Sequence, residues 1–135
     1  FECEMVICDK HRKRANEIAS MVVIGDVTDR DVVLIDDLCD TGGTLVKSAA
    51  LMKENGACSV RALCTHPVLS GNAYNNIENS VLEELVACDT IPLRGECSKI
   101  KVLSTDELFA VTIRNAFENK SINSLFLRSR MANKK

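Results

Sequence analysis

Four apolar residues, Val32-Val33-Leu34-Ile35, run directly into two adjacent carboxylates, Asp36 and Asp37. The chain continues through Leu38-Cys39 into Asp40-Thr41-Gly42-Gly43-Thr44, and a helical pattern begins there. Few folds accommodate that order. A short apolar run without polar alternation reads as a buried strand. Glycines among small hydroxylated residues allow a tight turn in which successive backbone N–H groups converge on one anion. A helix that starts from such a turn directs the positive end of its dipole to the same point. The segment is therefore expected to form a strand, an anion-holding turn and a helix start, the repeating unit of an α/β protein.

The paired acids add a second constraint. Adjacent carboxylates at a strand end repel one another and resist burial. They are tolerated where they accept hydrogen bonds or face a cation. A pentose diol supplies two donors, and a bound Mg²⁺ would offset the charge. Taken with the turn, this points to a sugar phosphate, with hydroxyls on Asp36 and Asp37 and phosphate on Asp40–Thr44. The plainer alternatives are a solvated strand end and an ordinary strand-to-helix turn. The turn is not a Walker loop, because it lacks the G-x-x-x-x-G-K-[ST] spacing and its lysine.

Elsewhere the pattern alternates. Strands are expected at Glu4–Cys8, Met21–Ile24, Val32–Ile35, Ser59–Thr65 and Leu85–Cys88, with a weaker one at Ile100–Leu103. Residues 9–19 are polar and basic and read as an exposed loop. Leu45, Ala49 and Met52, widened by Val46 and Ala50, give a helix over Gly43–Asn55 that stops at Asn55-Gly56. A loop runs from His66-Pro67 through Gly71, and a short helix is expected over Ala73–Glu78. A last helix, capped by Ser104-Thr105-Asp106-Glu107, reaches about Phe117. Leu125-Phe126-Leu127 and a mobile basic tail follow. Alternating strands and helices predict a mainly parallel sheet covered on both faces, with ligands beyond the C-terminal strand ends.

The chain has 135 residues, 46% of them apolar, which suits one folded domain. No apolar run approaches the roughly 20 residues of a membrane-spanning helix. A net charge of −2 argues against a broad nucleic-acid surface. There are seven cysteines, an odd number, with no C-x-x-C pair. They read as reduced thiols of a cytoplasmic protein, and no clustered Cys/His spacing suggests a metal site. The chain begins at Phe1, almost within a strand-like run, so the N-terminal part of a longer protein is expected to be missing.

Two further segments could carry chemistry. Lys10-His11-Arg12-Lys13-Arg14 could close over a polyphosphate and place cations where charge builds up; the plainer reading is a solvated basic face. Thr65-His66-Pro67-Val68-Leu69-Ser70-Gly71 presents a histidine at another strand end, as a base, a ligand or simply an exposed side chain.

Together and in this order, these segments resemble the ribose-phosphate diphosphokinases (phosphoribosyl pyrophosphate synthetases), from about Met5 to Phe126. Val33-Leu34-Ile35-Asp36-Asp37 with Asp40-Thr41-Gly42-Gly43-Thr44 is similar to the family's ribose 5-phosphate loop, which the type I phosphoribosyltransferases share less specifically. Lys10-x-Arg12 followed by Ala15-Asn16-Glu17 is similar to its mobile catalytic loop, and Thr65–Gly71 to a further segment. The resemblance implies transfer of the β,γ-diphosphoryl group of ATP to O1 of ribose 5-phosphate, giving phosphoribosyl pyrophosphate and AMP with Mg²⁺. Lys10 and Arg12 would stabilise the transferred group. Asp36 and Asp37 would hold ribose hydroxyls, directly or with help from the metal. Asp40, Thr41, Gly42, Gly43 and Thr44 would bind the 5-phosphate.

The implied fold is a three-layer, mainly parallel α/β sheet like that of the type I phosphoribosyltransferases. It is expected to be incomplete, with residues 1–135 forming a truncated C-terminal domain. The family's other domain, absent here, supplies most ATP contacts and the principal Mg²⁺ ligands, so the chain alone is expected to bind sugar phosphate weakly and not to turn over. Exposed apolar surface is expected to drive self-association into a homo-oligomer. Ser121-Ile122-Asn123-Ser124-Leu125-Phe126 resembles a closing segment that contributes to a regulatory phosphate/ADP site between subunits; core packing is the plainer reading. Two other readings stand beside this one, a type I phosphoribosyltransferase and a noncatalytic, synthetase-like assembly subunit.

Overall fold

The apolar run at 32–35 lies in the first strand of a four-stranded parallel sheet, where side chains alternate between a covered face and an open one. The computed structural model describes residues 3–14, 17–123 and 125, and for 10–14 and 17–20 the backbone alone. It divides into two units, Phe1–Leu103 and Ser104–Lys135. In the first, β1 (Ile7–Arg14) and β2 (Glu17–Ile24) form an antiparallel pair. Then follow β3 (Asp31–Cys39), α1 (Gly43–Glu54), β4 (Ser59–Pro67), α2 (Ala73–Glu78), β5 (Glu84–Cys88) and β6 (Ile100–Leu103). The parallel sheet has the order β3-β4-β5-β6.

Period-two alternation explains which face is covered. Val32, Val60, Ala62, Cys64, Leu85 and Ala87 are buried, in one cluster with Leu45, Ala49 and Met52 of α1 and Ala73 and Ile77 of α2. The intervening residues on β3 are open: Val33 is 51% and Ile35 73% exposed, and Leu103 on β6 is exposed as well. The run read as a doubly buried strand is thus covered on one face, at the end of the described sheet. An unbroken apolar run does not distinguish the two cases. The exposed apolar surface expected from the sequence is found on this face.

Several boundaries move, and the strand expected from Glu4 begins only at Ile7. β3 continues past Ile35 through Asp36 and Asp37 to Cys39, and β4 continues to Pro67, paired as Leu38↔His66 and Cys39↔Pro67. Both acids are exposed, so their charges stay solvated and do not end the strand. The larger correction concerns residues 9–19, read as a loop. Here β1 and β2 pair from Ile7↔Ile24 to Arg14↔Glu17, with register shifts around His11, Arg12 and Arg14. Antiparallel pairing is satisfied by backbone groups alone, so a ribbon away from the core needs no apolar alternation to betray it. At its base, Val6, Cys8 and Val23 pack against the core. Ser48 of α1 accepts from the Cys8 thiol at 3.7 Å and donates to Met21 Sδ at 3.3 Å.

The second unit contains α3 (Asp106–Phe117). Ser104 Oγ accepts from the Asp106 amide at 3.3 Å, and Asp106 Oδ1 from the Glu107 amide at 2.6 Å. The N-cap residue itself, Thr105, makes no side-chain capping hydrogen bond, so the acceptors come from its two neighbours in the expected segment. Leu108, Phe109, Ile113 and Phe117 are exposed along it. Apart from Leu125, the final apolar segment at 125–127 and the basic tail lie outside the described residues.

The segment between β5 and β6 is tied to α2. Arg94 N donates to the Tyr74 hydroxyl at 2.8 Å, and Lys99 Nζ to Ser80 O at 2.6 Å. Glu78 accepts from Ser98 N at 2.7 Å and Ser98 Oγ at 2.6 Å. Hydrogen bonds from Cys97 and Ser98, with the Lys99 charge nearby, lower the Glu78 pKa from 4.5 to about 2. A lowered carboxylate pKa means that the folded state favours the ionised form. The contribution is complete above pH 4.5 and is lost as pH falls toward 2. Thermal melting of wild type against Glu78→Gln is therefore expected to show a gap near neutral pH that closes between pH 4.5 and 2; a gap independent of pH would contradict this.

Candidate functional site

The C-terminal ends of β3 and β4 bring the sequence-predicted residues of the central motif together. Asp36 and Asp37 lie exposed on the last turns of β3's pleat, and the Asp37 amide donates to Asp36 Oδ1 at 3.0 Å. As neighbours on an extended strand the two side chains leave opposite faces of the sheet, and each is a solvated carboxylate with lone pairs available to donors. Cys39 is buried beneath them. Its thiol is pushed up to about 11 by burial and by the neighbouring Asp36 charge, and the Gly42 amide faces its sulfur. Cys64, behind it on β4, is pushed up to about 12, chiefly by burial. Both thiols are thus neutral, non-nucleophilic packing groups.

The turn then reverses direction at Gly42, whose φ of 71° lies in the left-handed region. A Cβ at that position would already touch Ile77 Cγ1 at 3.4 Å and lie 3.6 Å from Ala73 O. Those are ordinary contact distances, so it is the left-handed dihedral that calls for glycine here. Gly42 is also the N-cap of α1; its carbonyl accepts from the Val46 amide at 2.9 Å, and having no side chain it cannot cap the helix's first amides. Such a helix start suits an external anion.

Residues that sequence reasoning passed over hold the turn from behind. Leu69 N donates to Cys39 O at 3.1 Å, Ser70 N to Asp40 O at 3.0 Å, and Asn76 Nδ2 to Thr41 O at 3.1 Å. Ser70 Oγ donates to Asp40 Oδ1. Ser70 stood in the quoted Thr65–Gly71 segment, but only the three-dimensional proximity of the β4 end to the β3 end assigns it to the turn. Asn76 carried no sequence signal.

His66 is exposed at the end of β4. Thr90 Oγ1 donates its proton to Thr65 O at 2.8 Å and lies 2.9 Å from His66 Nδ1. Lys10 and Arg12 lie on β1, paired across the ribbon with Met21 and Ile18; their side chains are outside the described residues. Among the described residues no group of three or more His, Cys, Asp or Glu is placed to hold a metal ion, and no helix is long and apolar enough to cross a membrane.

Comparison with known proteins follows the same segments. The family model of the phosphoribosyl synthetase-associated domain matches residues 6–127. The ribose-phosphate pyrophosphokinase of Campylobacter jejuni subsp. jejuni is 54% identical over 124 residues, covering 92% of this chain and 40% of the relative. That of Wolinella succinogenes is 53% identical over the same length, again 40% of the relative. The chain thus spans about two fifths of these curated relatives. Among solved structures, phosphoribosylpyrophosphate synthetase from Mycobacterium smegmatis superposes with a TM-score of 0.71 at 37% identity, over 74% of this chain and 34% of that one. The mixed α/β architecture with its parallel sheet is the phosphoribosyltransferase-like fold expected from the motif.

The thiol environments predict a reactivity order. With iodoacetamide at about pH 8, exposed Cys3 and Cys58 are expected to be alkylated first in the folded chain, and Cys39 and Cys64 only after unfolding. Peptide mapping checks this, and early labelling of Cys39 would contradict the buried, neutral thiol.

Proposed function

The chain belongs to the phosphoribosyl synthetase-associated domain family, and on that premise we propose that it is the sugar-phosphate-binding part of a ribose-phosphate pyrophosphokinase. The whole enzyme transfers diphosphate from ATP to O1 of ribose 5-phosphate, forming phosphoribosyl pyrophosphate and AMP. It works in the cytoplasm as a homo-oligomer. The observation that carries this reading is the turn itself, with a left-handed Gly42 leading into α1 beside two exposed carboxylates.

The roles follow from the chemistry. The amides of the Asp40–Thr44 turn and the hydroxyls of Thr41 and Thr44 receive the 5-phosphate, which also meets the positive end of α1. Asp36 and Asp37 accept from the ribose hydroxyls and so orient the sugar with its O1 toward the diphosphate donor. Lys10 and Arg12 stabilise the charge of the transferred group, Lys as a compact point charge and Arg as a planar fork. The exposed carboxylates of Asp36 and Asp37 are hard oxygen donors of the kind Mg²⁺ takes, one or two at a time, alongside water and substrate oxygens. When bound, the metal supplies charge neutralisation at the diphosphate. Most ATP contacts and the principal metal ligands are proposed to lie in the rest of the enzyme, so this chain binds its sugar weakly and does not turn over.

Calorimetric titration tests the reading. Ribose 5-phosphate is expected to give measurable heat with the wild-type chain, unphosphorylated ribose much less, and Asp40→Ala is expected to abolish the signal. Equal binding of ribose and ribose 5-phosphate, or identical behaviour of Asp40→Ala, would overturn it.

A further inference from the structure

We infer that Ser70, assisted by Asn76, is a positioning residue for the phosphate turn, and that the Asp40 carboxylate acts as an internal anchor for the turn through Ser70. The inference rests on the proposed function for the identity of the ligand. Its structural half stands on the turn alone.

A carboxylate beside a bound phosphate dianion is unfavourable if it faces the ligand, since like charges repel. The structure gives Asp40 a different task. Its side chain accepts the Ser70 hydroxyl proton, and its carbonyl accepts the Ser70 amide at 3.0 Å. One residue thereby grips Asp40 at both main chain and side chain. The neighbours complete the pattern: the Cys39 carbonyl takes the Leu69 amide, and the Thr41 carbonyl takes the Asn76 side chain. Three consecutive carbonyls, 39 to 41, are thus held from the segment that follows β4.

Peptide geometry turns this into a statement about the ligand side. In a trans peptide the N–H points opposite to the preceding C=O. Fixing the carbonyls of Cys39 and Asp40 toward residues 69 and 70 therefore turns the amides of Asp40 and Thr41 away from that segment. The segment behind the turn sets the direction of donors in front of it.

The bracing segment is itself over-determined. Leu69 has a φ of 49°, in the left-handed region that a leucine rarely adopts. Its side chain is buried in the core at 4% exposure, and its amide is committed to Cys39. Strain of this kind persists where surrounding contacts enforce it, and here it delivers Ser70 to Asp40. Ser70 and Asn76 are themselves exposed. Losing either side chain is therefore expected to leave global stability nearly unchanged, which separates positioning from a merely structural role.

The test uses the full 135-residue chain with ribose 5-phosphate as the probe. Ser70→Ala is expected to weaken binding by about tenfold, the scale of one hydrogen bond to a charged group, and to shift the amide resonances of Asp40–Thr44 before ligand is added. Asn76→Ala is expected to act in the same direction with a smaller effect. Ser70→Thr, which keeps the hydroxyl, restores both readouts. Melting temperatures stay close to wild type throughout. Unchanged affinity in Ser70→Ala, unchanged turn resonances, or failure of Ser70→Thr to rescue would each overturn the inference. If the wild-type chain binds no ribose 5-phosphate while Ser70→Ala still perturbs the turn, the proposed ligand falls, and the brace is reduced to a fold contact without a positioning role.

Discussion

The left-handed backbone at Gly42 is the constraint on which the rest of the site depends. It lets the chain leave β3 and enter α1 within a few residues. In that passage it starts α1 without a side-chain cap from Gly42, follows the strand end that carries Asp36 and Asp37, and lays the turn against Ile77. An L-residue in that conformation costs about 1–2 kcal/mol, and a side chain longer than a methyl would meet α2. The turn therefore depends on glycine for its dihedral.

Charge and packing are separated around this point. The covered face of the sheet is apolar, and its two buried thiols are held neutral. The ionised groups sit where the strands end and water reaches them. The antiparallel ribbon that carries Lys10 and Arg12 is anchored at its base to Ser48, one helical turn beyond Thr44. The basic ribbon and the Gly42 turn thus share α1 as a common support.

Much of this was legible in the sequence where local chemistry decides. The apolar run, the two glycines and the Asn55-Gly56 stop place α1 and its turn almost residue for residue, because capping and dihedral preferences are local. Only the base of the β1–β2 ribbon was legible, as the strands expected at Glu4–Cys8 and Met21–Ile24; backbone pairing makes no demand on a polar sequence, and the basic residues beyond read as solvated loop. The end of β3 was read short because paired charge was taken to end the strand, whereas exposed carboxylates on a pleat remain hydrated; that of β4 was read short because His66-Pro67 was taken to begin a loop. Ser70 and Asn76 were invisible as partners of the turn. They reach it only because parallel pairing sets the end of β4 beside the end of β3, some 30 residues away in sequence.

A crystal structure of the chain with ribose 5-phosphate would test the phosphate cradle without intermediaries. The expected result is phosphate oxygens about 3 Å from the amides of the Asp40–Thr44 turn, with ribose hydroxyls on Asp36 and Asp37. A phosphate seated elsewhere, with that turn empty and its amides directed away from the sugar, would contradict the assignment.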